Sequence, residues 1–291
     1  MKQAHTDEEQ SCNVMDQPQN RQSREDQLAE KIAALLQNNH FVCSRAHEGI
    51  ISLIARHDGL LRINRNQLLE INKQGVLMIA AMRHNSAVRR GDRLMKIRVI
   101  PEENPGKPIH SAKQIIGRER LLELLPYIRK TAVIIMAGHQ CETCSAREIL
   151  PFVIADKLET CGIKTVEMVT CENNRDALDA AIAQAREIGA DLIVCGGDKL
   201  VSARDDMQDA IRMSNARLTA CGAPVTPDVR FLLGYYEDGT AIIGIPSCVA
   251  YNDVTVFDLI LPRIASGVEI TMEDIAELGD GGLCLSTNRC L

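Results

Sequence analysis

From Lys130 onward the chain keeps one rhythm, strand then loop then helix, and no other feature limits its fold so tightly. Ala132-Val-Ile-Ile-Met136 is an apolar run of strand length, and Ala146 to Cys161 reads as a helix. Lys164-Thr-Val-Glu-Met-Val169 gives a second strand, Asn174 to Ile188 a second helix, and Asp191-Leu-Ile-Val-Cys195 a third strand. Crossover connections between parallel strands produce this alternation and place helices on both faces of one sheet. The expected fold is therefore α/β, a doubly wound, mostly parallel sheet. Ligands of such sheets sit outside the carboxyl ends of the strands, so the loops at those ends carry the functional question.

Upstream the pattern changes. Residues 1–26 are rich in Gln, Asn, Asp and Glu and are expected to form a disordered tail, because they offer too little apolar surface to offset chain entropy. Between Arg24 and Asn38, Leu28, Ile32, Leu35 and Leu36 make one stripe of a short helix. Residues 27–101 read as a small mixed β-rich domain. Its pieces are Gly49 to Ala55, His57 to Ile63 with an Asp58-Gly59 hairpin signal, Gln67-Leu-Leu-Glu-Ile-Asn72, Gly75 to Ala81, and Val88 to a strand stopped by Pro101. Residues 102–129 are expected to be linker and connecting helix, 130–267 the α/β domain, and 268–291 a C-terminal extension.

Three strands deliver glycine-containing loops: Met136-Ala-Gly-His-Gln140, the stretch from Cys195 to Asp206, and Gly244-Ile-Pro-Ser-Cys-Val-Ala-Tyr251. Glycine lets the backbone approach an anion and point N–H groups at it, and a helix that follows adds its positive end. Candidate binding residues are thus Gly138, His139, Gly196, Gly197, Asp198, Gly244, Pro246, Ser247 and Cys248. None of the loops is a Walker P-loop or a dinucleotide fingerprint: Gly196-Gly197 lacks a third glycine, and Lys199 is not followed by Ser or Thr. Asp198, Asp205 and Asp206 share one loop and offer hard oxygens for Mg2+ beside a substrate phosphate. Asp205 and Asp206 are accordingly the candidate metal ligands and catalytic residues, against the plainer reading that one of them caps the helix Met207 to Arg217. His139 at a strand end reads as a general base or phosphate ligand, or else as a solvated bystander. Cys248 stands at a helix start, where a thiolate is stabilised, but with no partnered base in view the reading of a packed thiol is preferred.

The rest of the composition excludes more than it assigns. A net charge of −6 with acids and bases interspersed leaves no basic stripe for nucleic acid. Aromatic residues make up 3% and Trp is absent, so a base-stacking platform has no material. No run of about 18 apolar residues and no signal peptide is found, so no membrane association and a cytoplasmic location are expected. The eleven cysteines are irregularly spaced and several lie inside apolar runs, as buried thiols of a reducing compartment do. Cys141-Glu-Thr-Cys144 stands apart by its spacing and suits a redox dithiol, half a zinc site, or ordinary loop thiols.

Three segments resemble a known family, the MoaB/Mog-like molybdopterin-binding domain. They are Gly222-Ala-Pro-Val-Thr-Pro-Asp228, the run from Gly244 through Tyr251 to Thr255-Val-Phe-Asp-Leu-Ile-Leu-Pro-Arg263, and Leu278-Gly-Asp-Gly-Gly-Leu-Cys284. The likeness is to bacterial molybdopterin-binding proteins that carry this domain behind a small β-rich region, and it spans about residues 45–285. The resemblance implies molybdopterin as ligand or substrate, adds Pro224 and Pro227 to the binding set, and implies a homo-oligomer with a molybdoenzyme apoprotein as partner. Where it implies Thr-Gly-X-Glu in the first loop, this chain has Ala137-Gly138-His139-Gln140, and Pro227-Asp228 and Pro246-Ser247 stand where it implies Pro-Gly. Loss of that carboxylate weakens metal-assisted chemistry more than binding. The expectation is therefore a binder of molybdopterin in cofactor biosynthesis or delivery. A Mg2+-dependent nucleotidyl- or molybdo-transferase acting on molybdopterin is the alternative, and a small-molecule kinase with a Gly-Gly-Asp loop is the second alternative.

Overall fold

The computed structural model describes residues 23–100, 110, 114–116, 120–138, 145–197, 206–226 and 230–282. It opens with helix α1 (Arg24–Leu36), set by a capping box: the Ser23 hydroxyl accepts the Asp26 N–H at 3.1 Å, and the Asp26 carboxylate accepts the Ser23 N–H at 3.3 Å. Ala29, Ile32, Ala33 and Leu36 form its buried stripe. That stripe packs on a four-stranded antiparallel sheet containing β1 (Phe41–Cys43) and β2 (Ile50–Ala55). Next come β3 (Gly59–Ile63), helix α2 (Arg65–Lys73), β4 (Leu77–Ala81), β5 (Ser86–Val88), β6 (Arg93–Val99) and β7 (Leu122–Pro126). The first sheet runs β1-β2-β6-β4, and a second, three-stranded one runs β5-β3-β7.

Three expectations for this β-rich unit change. Gln67 to Asn72 forms a helix, capped by the Asn64 side chain at the Gln67 N–H, and buries only Gln67 and Ile71, four residues apart. Its apolar spacing is helical and was obscured by its shortness. Asp58-Gly59 is not a hairpin turn, because β2 and β3 lie in different sheets. Gly59 answers a different need: a Cβ there would stand 2.3 Å from the Leu125 carbonyl of β7. β7 in turn falls inside the stretch expected as linker, yet it pairs with β3 from Gly59↔Pro126 to Ile63↔Leu122.

The second unit is the expected α/β domain. It comprises β8 (Thr131–Ala137), helix α3 (Ser145–Thr160), β9 (Lys164–Cys171), helix α4 (Arg175–Ile188), β10 (Leu192–Gly197), helix α5 (Asp206–Met213) and β11 (Arg217–Cys221). It closes with β12 (Leu232–Tyr235), β13 (Ala241–Pro246), helix α6 (Val256–Ala265) and helix α7 (Met272–Glu277). The strands form one sheet in the order β11-β12-β13-β10-β8-β9. Its four strands β13, β10, β8 and β9 are parallel, and β12 is antiparallel to both its neighbours.

Side chains alternate across this sheet, so each face has its own helices. Ile134, Val194 and Ile243 face Leu150, Ile154 and Leu158 of α3 and Phe257, Ile260 and Ile264 of α6. Val133, Ile193 and Ile242 face Ile182 and Ala185 of α4 and Met207 and Ile211 of α5. All of these are buried, and each large aliphatic side chain contributes about 1.5–3 kcal/mol of transfer free energy. The sheet is doubly wound, as the strand and helix rhythm implies.

Two local boundaries differ from the sequence reading. The helix expected over Met207 to Arg217 ends at Met213, and Arg217 already belongs to β11. After Pro246 the chain makes a short 3-10 turn, Ser247–Ala250, before α6 begins behind a capping box of Thr255 and Asp258. Among the described residues no helix is long and apolar enough to cross a membrane.

Candidate functional site

The chain leaves β8 for its outer neighbour β9, then returns to β10 on the other side of β8. In open α/β sheets a reversal of this kind marks where ligands bind, outside the carboxyl ends of the strands. The register places the predicted loops there. Gly197 lies opposite Ala137 on one side and opposite Pro246 on the other. Gly138, Gly197, Pro246 and Ser247 therefore reach one edge of one sheet, side by side.

Gly196 and Gly197 leave the end of β10 without side chains. A Cβ on Gly196 would press on Met136 Sδ at 3.0 Å and Leu150 Cδ2 at 3.1 Å. A Cβ on Gly197 would stand 3.2 Å from the Ala137 carbonyl oxygen. Two adjacent glycines thus let α3 and β8 close on β10 and keep side chains away from the edge. Such a strand end fits the close approach of a flat or anionic group.

The predicted residues do not contribute equally. The Gly138 N–H donates to the Cys171 carbonyl at 3.1 Å, so it continues the pairing of β8 with β9 and is not offered to a ligand. Gly244 lies inside β13, opposite Cys195 and Leu232, two residues short of the edge. Its missing Cβ accommodates Leu232, whose own Cβ would be 3.0 Å away, so this glycine serves packing. Pro246 precedes the 3-10 turn and supplies no capping side chain, and Cys248 is half-buried within that turn, its carbonyl accepting from Asn252 Nδ2 at 2.7 Å. Asp206 opens α5 on its exposed face. His139, Asp198, Asp205 and Pro227 lie outside the described residues, as do Cys141 and Cys144.

Pro224 is exposed in the loop that follows β11. Cys221 pairs with Leu232, and Leu232 with Gly244, so this loop shares the carboxyl side of the sheet but stands beyond β12. It is held by the glycine-rich segment after α7. The Thr226 N–H donates to the Gly282 carbonyl at 2.9 Å, and a Cβ on Gly282 would stand 2.3 Å from the Pro224 carbonyl. The sequence pairs these segments in one resemblance, and the structure puts them in contact.

The buried cysteines behave as hydrophobes. Burial pushes the thiols of Cys195 and Cys161 up from the ordinary value, which keeps them protonated and unreactive. Sequence reasoning missed Arg129 and Asp191 at the opposite edge of the sheet, and Arg263 and His84 between the units. Nothing in their local pattern marks them, since their partners are distant in the chain.

The domain is a doubly wound α/β sheet whose strand β10 ends in an adjacent glycine pair at the switch point. No protein-family model and no curated protein matches the sequence. Solved structures that the chain resembles include the molybdopterin biosynthesis MoeA protein from Pyrococcus horikosii, at 13% identity over 73% of this chain and 67% of that one, with a TM-score of 0.36. The molybdopterin biosynthesis Mog protein from Mycobacterium ulcerans is 17% identical over 47% of this chain and 91% of that one, TM-score 0.33. The tungsten cofactor synthesizing protein MoaB from Pyrococcus furiosus is 14% identical over 47% and 89%, TM-score 0.31. The likeness is one of fold alone.

Proposed function

We propose that the protein binds molybdopterin, or a cofactor precursor with the same pterin phosphate, and acts in molybdenum cofactor biosynthesis or delivery. One observation carries this reading: the strand register sets Gly197 between Ala137 and Pro246 at the carboxyl ends of the strands, at the topological switch point. The sequence resemblance over Gly222 to Arg263 supplies the ligand class. In this reading the ligand sits against the glycine pair and the 3-10 turn that begins at Ser247. Asp205 and Asp206 belong to the transferase alternative, in which Mg2+ and a nucleotide take part; Asp206 stands on an exposed first turn, as a solvated helix residue does.

Isothermal titration of the folded chain with molybdopterin or a stable pterin phosphate tests the proposal. Saturable binding in the micromolar range that is lost when Gly197 is replaced by Val is the expected result. A folded sample showing no heat of binding overturns it.

A further inference from the structure

A cavity of about 500 Å3 lies between the two units, away from the sheet edge. It is walled by Met82, Leu259 and Pro262 and by four basic side chains, Arg65, Arg83, His84 and Arg263. Arg263, in the last turn of α6, is the unusual member. Its side chain is only 8% exposed, and its ionic contact, Nη1 to Asp274 Oδ1, is long at 3.3 Å. Its Nε is buried with no partner among the described residues. A buried charged donor left unpaired costs more than the ~1–3 kcal/mol of a neutral one, and in native proteins such groups call for a bound ion, water or ligand.

Groups of both signs surround Arg263. His84 Nδ1 accepts the Ile63 N–H at 2.9 Å, so the neutral ring carries its proton on Nε2 as a further donor. Burial first, then the positive charges of Arg65, Arg62 and Arg263, hold His84 below its ordinary value and keep the ring neutral. Asp258, which also lines the cavity, is already engaged by the Thr255 N–H and hydroxyl at 2.8 and 2.7 Å and by Lys157 Nζ at 2.6 Å. Glu277 and Asp280 also line the cavity, exposed to the same degree as Arg65 and Arg83, and the Glu277 charge acts on both Arg263 and His84.

A planar guanidinium whose Nε donor is unused suits an oxyanion, and the volume suits a small organic molecule better than a bare ion. We propose that this cavity binds a phosphate monoester, with its phosphate on Arg263, Arg65 and Arg83 and its apolar body against Met82, Leu259 and Pro262. The site is distinct from the sheet edge and does not depend on the molybdopterin reading.

Calorimetric titration of the full chain with phenyl phosphate, inorganic phosphate and phenol tests it. Saturable binding of phenyl phosphate, weaker binding of inorganic phosphate and none of phenol is the expected order. The double variant Arg65→Ala/Arg83→Ala, in exposed positions that leave the fold intact, weakens phenyl phosphate roughly tenfold or more. Arg263→Lys keeps the charge, loses the fork and weakens binding similarly, with circular dichroism as the check on its fold; if it fails to fold, the double variant decides. Gly197→Val at the sheet edge leaves phenyl phosphate binding unchanged. No saturation by phenyl phosphate, undiminished binding in the double variant, or loss of binding in Gly197→Val instead would each overturn the proposal.

Discussion

The two edges of the six-stranded sheet are built on opposite plans. At the amino-terminal edge Arg129 donates from Nε to the Ile264 carbonyl at 3.0 Å, from Nη1 to that of Asp191 at 3.0 Å, and from Nη2 to that of Gly239 at 2.5 Å. Asp191 answers by accepting the Lys130 and Thr131 N–H groups at 2.7 and 3.0 Å and the Thr131 hydroxyl at 3.1 Å. One side chain thus ties α6, β10 and the approach to β13 together, and another ties β8 to β10. At the carboxyl edge the strand ends are instead glycine, proline and a short turn. Substitutions at the two edges should therefore separate into two phenotypes, loss of stability at the first and loss of the proposed binding at the second.

The largest effect is expected from Arg129→Ala, which removes three charge-assisted bonds; the Ile264 and Asp191 carbonyls keep the Gly267 and Ala241 N–H groups, and the Gly239 carbonyl is left to find a new partner. A loss of about 3 kcal/mol or more is expected in urea unfolding, with pterin phosphate affinity retained in the fraction that stays folded. If the variant unfolds at the wild-type midpoint, the amino edge is not the anchor.

Gly196→Ala comes next, at about 1–3 kcal/mol, because its Cβ meets Met136 and Leu150 and they must shift. A drop as large as that of Arg129→Ala would erase the contrast between the edges. Asp191→Asn is expected to cost about 1 kcal/mol at neutral pH. Burial alone would raise this carboxyl, but the bonds from Lys130 and Thr131 outweigh it and hold it below 3.8. A lowered folded value means stability that is present above the unfolded value and lost as pH falls through the folded one. The gap between wild type and variant should therefore narrow on acidification below 3.8, and a gap independent of pH would assign the effect to something other than the carboxylate charge.

The smallest effect belongs to Asp206→Asn, an exposed position: unfolding within about 0.5 kcal/mol of wild type and pterin phosphate affinity unchanged. A magnesium-dependent turnover abolished by this change would favour the transferase reading over the binder.

Much of the α/β domain is legible in the sequence because its parallel strands are buried on both faces and read as unbroken apolar runs, as Leu192 to Cys195 does. Strand-end loops then follow from connectivity, which is why Gly138, Gly197 and Pro246 are found together. The β-rich unit is harder. Gln67 to Asn72 is too short for its period to declare itself, and the partner of Gly59 lies beyond the proline-rich stretch, in β7. Gly244 and Gly138 were read as ligand glycines, but one accommodates Leu232 and the other completes a strand pair; a glycine's reason is a neighbour, which local sequence does not name. Arg263 belongs to the same category, since the unpartnered state of its Nε is visible only in three dimensions.

The passage from β7 to β8 has a mechanical consequence. Pro126 ends a strand of one unit and Thr131 begins a strand of the other, and in between the N–H groups of Ile128 and Arg129 both donate to the Ala265 carbonyl, at 2.8 and 3.0 Å. Most boundaries between units are slack and tolerate cutting or insertion. This one is a taut splice pinned to the end of α6, so a protease will find no hinge at Tyr127 to Lys130, and a torque on the small sheets will be felt along the spine of the large one.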